Sequence, residues 1–166
     1  MPVAEMPSMS GYGVTAETWD PLPWEWGAEK LRSGRNFWLV TASAAGRPHA
    51  MPVWTVWHDD EERLMFSCAP TSRKARNLRA NSQVVVAVDD TVECLSLEGV
   101  ATILDDEARR SEWARRYVDK YRVHSAGLDP GFVLGGLVVE VRPEKALAVI
   151  EREEEFSTRA TRWRFG

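Results

Sequence analysis

From Ser67 to Leu78 the chain reads Ser-Cys-Ala-Pro-Thr-Ser-Arg-Lys-Ala-Arg-Asn-Leu, a strand end followed by hydroxyls and cations in the first turn of a helix. Free N–H groups and the positive dipole end at such a turn favour a phosphate, and Arg73 and Lys74 add full charges. Cations there are the wrong sign for helix stability, so their placement points to an anionic ligand. A solvated basic helix face accounts for the same residues by composition alone. The strand before it carries His49-Ala50-Met51-Pro52-Val53-Trp54. Pro52 removes a ladder donor, and alternation sets Met51 and Val53 on one face and Pro52 and Trp54 on the other, where a flat ligand has room to lie. Core packing is the competing role for Trp54 and Trp57.

Other catalytic arrangements are poor. The chain has no nucleophile elbow, no phosphate-binding glycine loop and no metal spacing among His49, His58 and Cys68. His58 reads as a strand-end surface residue, His124 as a solvated loop residue and Cys68 as a small packing residue beside the anion turn. No side chain is assigned as acid, base, nucleophile or metal ligand. An anion site with aromatic walls fits a protein whose chemistry is carried by a bound cofactor.

The elements that must position these groups follow from periodicity and turn signals. Helices are expected at about 24–32, 73–79 and 105–122, the last with Trp113, Tyr117 and Tyr121 in one stripe. Strands are expected at 36–43, 49–58, 63–69, 83–89, 92–104, 132–141 and 146–151, with 161–165 a further candidate. Gly99 marks a bulge or bend in the fifth of these. The acidic tract 151–155 reads as an edge or loop, and residues 1–23 as an extended arm before a domain spanning 24–166. Short strands joined as hairpins, with two or three helices, give an antiparallel barrel of the α+β class.

Composition narrows the class. A chain of 166 residues suits one domain, and a net charge of −4 argues against a nucleic-acid partner. Cys68 and Cys94 make no disulfide framework, and no apolar run approaches bilayer length, so a cytoplasmic protein with no membrane partner is expected. Eight tryptophans stand out.

The order of these features resembles the FMN-binding split-barrel superfamily, which includes the pyridoxamine phosphate oxidases. Within it, the chain is similar to the actinobacterial flavin and deazaflavin oxidoreductases through Phe37-Trp38-Leu39-Val40-Thr41, Gly46 to Trp54, Ser72 to Leu78 and Leu95-Ser96-Leu97-Glu98-Gly99. The last segment and Thr161-Arg162-Trp163-Arg164-Phe165 suggest the branch that uses coenzyme F420. The resemblance implies a six-stranded split barrel and a homodimer with cofactor sites between subunits. It implies that His49, Ala50, Met51, Pro52, Val53 and Trp54 line the ring, that Ser67 and Cys68 flank the ribityl chain, and that Ser72, Arg73, Lys74 and Asn77 hold the phosphate. Val88 and Asp89 are lesser candidates, and Trp113, Arg162 and Trp163 are candidates reaching in from a partner subunit. The implied activity is hydride transfer from reduced F420 to a small electron-poor substrate. An FMN oxidoreductase and a non-catalytic carrier of a cofactor or a tetrapyrrole such as haem are the rival readings. The ending lacks the full arginine-tryptophan-arginine-leucine-proline pattern of true pyridoxamine phosphate oxidases, which speaks against vitamin B6 oxidation.

Overall fold

The computed structural model describes residues 1–166. In chain order the elements are β1 (Val3–Glu5), α1 (Trp24–Ser33), β2 (Phe37–Ala42), β3 (Pro48–Val53), β4 (Thr55–His58), β5 (Arg63–Cys68) and α2 (Arg73–Ala80). They continue as β6 (Gln83–Val88), β7 (Glu93–Ile103), α3 (Glu107–Tyr121), α4 (Pro130–Leu134), β8 (Leu137–Ile150), α5 (Glu153–Phe156) and β9 (Thr161–Arg164).

Every strand pairing is antiparallel. β2 lies between β3 and β6, β6 pairs β7, β7 pairs β8, the first part of β8 pairs β5, and β5 pairs β4. Since β3 and β4 are one run of chain interrupted only at Trp54, these pairings close a ring of six staves, one of them bent. The α+β antiparallel barrel is therefore present. Nine strands arise because one stave is broken and because β9 and β1 add to the second half of β8 outside the ring.

The differences from the sequence expectation have local causes. The expected strand 49–58 is two strands, because its ends have different neighbours, β2 and β5. Residues 132–134 are helical rather than extended, since Asp129 caps the turn through the Phe132 N–H and Pro130 starts α4. The two expected strands 132–141 and 146–151 are one, β8, which absorbs Pro143 at a bulge. There Glu98 faces Lys145 and Gly99 faces Pro143, leaving Glu144 without a partner on β7. Glu153–Phe156 is a short helix rather than an acidic edge, and the arm contributes a strand, β1.

Alternation places two cores. Leu64, Phe66 and Cys68 of β5 point into the barrel with Phe37, Leu39, Val86, Leu97 and Val141, while Met65 points outward. Met65, Val56 and Val138 form a second apolar layer on which the Trp113, Ala114, Tyr117 and Tyr121 stripe of α3 lies.

A Cβ on Gly99 would meet the Arg142 carbonyl oxygen at 2.3 Å, a backbone atom that cannot swing away. Gly99→Ala is expected to cost at least about 2 kcal/mol in urea unfolding, because the bulge must open to admit the methyl group. An unchanged midpoint would show that the two strands are not clamped there.

Candidate functional site

α2 begins where Ser72 caps it, its hydroxyl accepting the Ala75 N–H at 3.2 Å. Arg73, Arg76 and Asn77 then recur at helical spacing and face the β2–β3 hairpin. The buried Asn77 amide donates to Thr41 Oγ1 at 2.9 Å and pins the helix to β2. The hairpin turns at Gly46, whose φ of 76° suits glycine. Together Ser43, Arg47 and His49 of the hairpin and Arg73, Arg76 and Asn77 of the helix line a pocket of about 190 Å³ with no carboxylate in its walls.

Two observations set this pocket apart. Arg47, Arg73, Lys74, Arg76 and Arg79 take part in no ion pair, although cations elsewhere in the chain pair widely. His49 Nδ1 is buried and has no hydrogen-bond partner. Desolvation, reinforced by the positive charges of Arg73 and Lys74, holds the His49 pKa below its usual value, so the ring is neutral at pH 7. The group of cations supplies charge-assisted donors for a phosphate.

β3 leads from this pocket to a second concavity. At roughly 3.3 Å per residue, His49 and Trp54 lie about 16 Å apart along the strand. At the Trp54 end a cleft of about 520 Å³ is walled by Pro52, Trp54, Tyr117, Leu128 and Phe132, with Asn36 and Ser125 as polar members. The Trp54 ring stacks on Tyr121 at 4.4 Å and an interplanar angle of 3°, and its Nε1 donates to Asn36 Oδ1 at 3.2 Å. The outer edge of β3 pairs with no strand, and Trp38, Met51 and Pro52 are exposed beside it.

The stack is held from behind. Tyr121 Oη accepts the Thr55 N–H at 2.9 Å and lies 2.9 Å from the Thr55 and Arg35 carbonyls. Lys120 Nζ donates to the Thr55 carbonyl at 2.9 Å and the Leu31 carbonyl at 3.0 Å. Burial pulls the Lys120 pKa down to about 8 and pushes that of Tyr117 up to about 12.

The structure brings His49, Arg73 and Asn77 together at the cationic pocket and Pro52, Val53 and Trp54 at the cleft, with Ala50 and Met51 exposed between them. Lys74 lies outside the pocket walls, near enough for its charge to act on His49 and Cys68. The Ser72 hydroxyl is engaged as the helix cap. Ser67 is half-buried and donates to the Val133 carbonyl at 3.4 Å. Cys68 and Val88 face the barrel core, and burial pushes the Cys68 thiol up. Asp89 is exposed and lines neither concavity.

Trp113 and Trp163 are corrections: neither is available to reach into another subunit's site. Trp113 is buried under α3 and donates to Glu140 at 2.8 Å, while Trp163 is buried edge-on against Trp24. Arg162 is paired with Glu5 at 3.0 Å. His58 is likewise no surface residue, being buried against Trp113 with its Nε2 2.6 Å from Arg116 Nη2. Sequence reasoning missed Arg47, Arg76, Ser43, Asn36, Tyr117 and Phe132 as lining residues. The signal for Arg76 was its place one helical turn after Arg73.

No helix is long and apolar enough to cross a membrane. The family model described as pyridoxamine 5'-phosphate oxidase matches residues 28–156. No curated protein matches the chain. Among solved structures, it is similar to a conserved hypothetical protein from Mycobacterium tuberculosis, with a TM-score of 0.66 and 19% identity over 80% of this chain and 86% of that one. It is also similar to a structure described as an F420 reductase, with a TM-score of 0.55 and 24% identity over 72% of this chain and 95% of that one. A third is HutZ, described as a haem storage protein, from Vibrio cholerae, with a TM-score of 0.57 and 18% identity over 74% and 92% of the two chains. At these identities the likeness shows the fold.

Lys120 yields a pH prediction. The folded chain releases its proton near pH 8, whereas the unfolded chain holds it to about 10.5, so the unfolded state binds more protons between those values and stability rises with pH there. Measured by chemical denaturation, the stability of the natural chain relative to Lys120→Met is expected to rise by about 2 to 3 kcal/mol from pH 7 to pH 10. A flat difference would mean that the ammonium is solvated in the folded state.

Proposed function

The chain belongs to the pyridoxamine 5'-phosphate oxidase family, and from that membership we propose that it is an oxidoreductase that binds coenzyme F420 along β3. The observation that carries this reading is the unpaired cation cluster around the partnerless His49 Nδ1, at one end of a strand whose other end opens on an aromatic cleft. A phosphate there would be held by Arg73 and Arg47, with Arg76 alongside and the Asn77 amide keeping α2 at its distance from β2. The neutral His49 ring offers Nδ1 as a donor to the same anion when it carries its proton on that nitrogen.

When bound, a reduced deazaflavin supplies a hydride for a small electron-poor organic molecule. The chain's own part is orientation and the exclusion of water: the backbone of Ala50 to Val53 is the rail, and Trp54, locked by Tyr121 and Asn36, is the stop. The exposed Trp38 and Met51 beside the unpaired edge of β3 support a homodimer in which a second copy completes the wall of each site. FMN would use the same anion pocket, and it remains the rival cofactor because the phosphate chemistry is shared.

Side-by-side titration with F420, FMN and haem tests the reading. F420 is expected to bind most tightly, and Arg73→Ala to weaken it by about 1 to 3 kcal/mol with no loss of thermal stability. Tighter binding of FMN or haem, or an unchanged dissociation constant in the variant, would overturn the assignment.

A further inference from the structure

Away from both concavities, three donor atoms from distant parts of the chain meet beside α3. His58, at the end of β4, is buried with 6% of its surface exposed, and its ring stands edge-on to Trp113 at 5.9 Å and 84°. Its Nε2 lies 3.4 Å from Glu61 Oε1 in the β4–β5 turn and 3.6 Å from Glu112 Oε1 on α3, and the three atoms all lie within 4.8 Å of one another. Ligands about 2.1 Å from one ion at tetrahedral angles stand about 3.4 Å apart, which is close to the spacing of His58 from both carboxylates. Arg109 takes the second oxygen of each carboxylate, pairing with Glu61 Oε2 and donating to Glu112 Oε2 at 2.9 Å, and it also reaches Glu61 Oε1 at 3.2 Å. Glu61 and Glu112 are thereby held with their Oε1 atoms toward His58, as outer hydrogen bonds hold the ligands of a metal.

A positive charge already reaches these three atoms. Arg116 donates from Nη2 to His58 Nε2 at 2.6 Å and from Nε to Glu112 Oε1 at 3.1 Å. A guanidinium has no acceptor, so His58 Nε2 carries no proton and presents a lone pair, the form in which imidazole binds a metal. The Arg116 side chain is 41% exposed and has no further hydrogen-bond partner, which leaves it free to swing into solvent. Charge favours an exchange. Glu61, Glu112 and Glu140 face only Arg109 and Arg116, one positive charge short, and a divalent ion in place of the Arg116 guanidinium would make the cluster neutral. One imidazole and two carboxylates are donors that suit zinc. We propose that His58, Glu61 and Glu112 bind a divalent cation of the zinc type, with Arg116 as the group it displaces and water in the fourth position. The ion would pin the β4–β5 turn to α3, and its binding is independent of the function proposed above.

The probe is zinc chloride alone, titrated calorimetrically into the full chain at pH 7 in a buffer that does not coordinate metal, with the thermal midpoint followed in parallel. One ion per chain should bind saturably and raise the midpoint. His58→Gln and Glu61→Gln are each expected to weaken binding at least about tenfold. Arg116→Ala is expected to strengthen it about threefold, because the ion no longer has to displace a guanidinium, whereas a network of ion pairs alone would give no such gain. Where His58→Gln lowers the midpoint of the metal-free chain by more than a few degrees, Glu112→Gln takes its place beside Glu61→Gln. Absence of saturable binding overturns the proposal. Equal binding by the natural chain and the folded ligand variants also overturns it, since the zinc would then be held adventitiously elsewhere on the surface. Unchanged or weaker binding by Arg116→Ala overturns the placement of the ion between His58 and the two carboxylates.

Discussion

A strand that must serve two neighbours in different directions cannot stay straight, and the barrel turns on that constraint at Trp54. β3 pairs with β2 and β4 with β5, so the ladder changes neighbours between them, and Thr55, which stands opposite Phe66 of β5, has no partner on β2 for its amide and carbonyl. Buried backbone groups left in that state cost about 1 to 3 kcal/mol each. α3 answers with Tyr121 Oη on the Thr55 N–H and Lys120 Nζ on the Thr55 carbonyl. Once α3 is fixed there, Tyr121 lies under Trp54 and Tyr117 stands beside the cleft. The closure of the barrel and the shape of its concavity are thus one solution to one problem of backbone satisfaction.

The same chain handles its cations in two opposite ways. On the far side of α3, Arg109 bonds to Glu140 at 2.8 Å and Glu112 at 2.9 Å and also pairs with Glu61, while Trp113 shares Glu140. That network spends its charges on joining α3 to β8 and to the β4–β5 turn. Around His49 the cations are left without carboxylates, an arrangement that leaves their mutual repulsion uncompensated within the chain.

Local signals were legible in the sequence where short-range chemistry decides the outcome. The Ser72 cap, the cations after it, the Gly99 bulge and the aromatic stripe of α3 all follow from spacing. What escaped depended on tertiary placement. Arg47 joins Arg73 only because the hairpin folds over α2, and Tyr117 is a cleft wall only because the β3–β4 break draws α3 to Thr55. Phe132 sits in an apolar run whose length does not distinguish strand from helix, and the Asp129-Pro130 start decides for helix. Trp113 and Trp163 lie inside for a reason that local sequence does not carry: a large aromatic reads equally as interface or interior until its indole partner or neighbour is known.

The pairing of β1 with β9 sets Val3 opposite Arg164 and Glu5 opposite Arg162. During synthesis the first strand therefore leaves the ribosome with nothing to pair with until residues near the other end have emerged. β9 in turn docks on β8, whose neighbours β7 and β5 belong to the ring, so the ring can close before the β1–β9 pair adds to it. By its topology the ring has all of its staves once β8 has emerged, and the β1–β9 pair is a later addition that ties residues far apart in the chain to one edge.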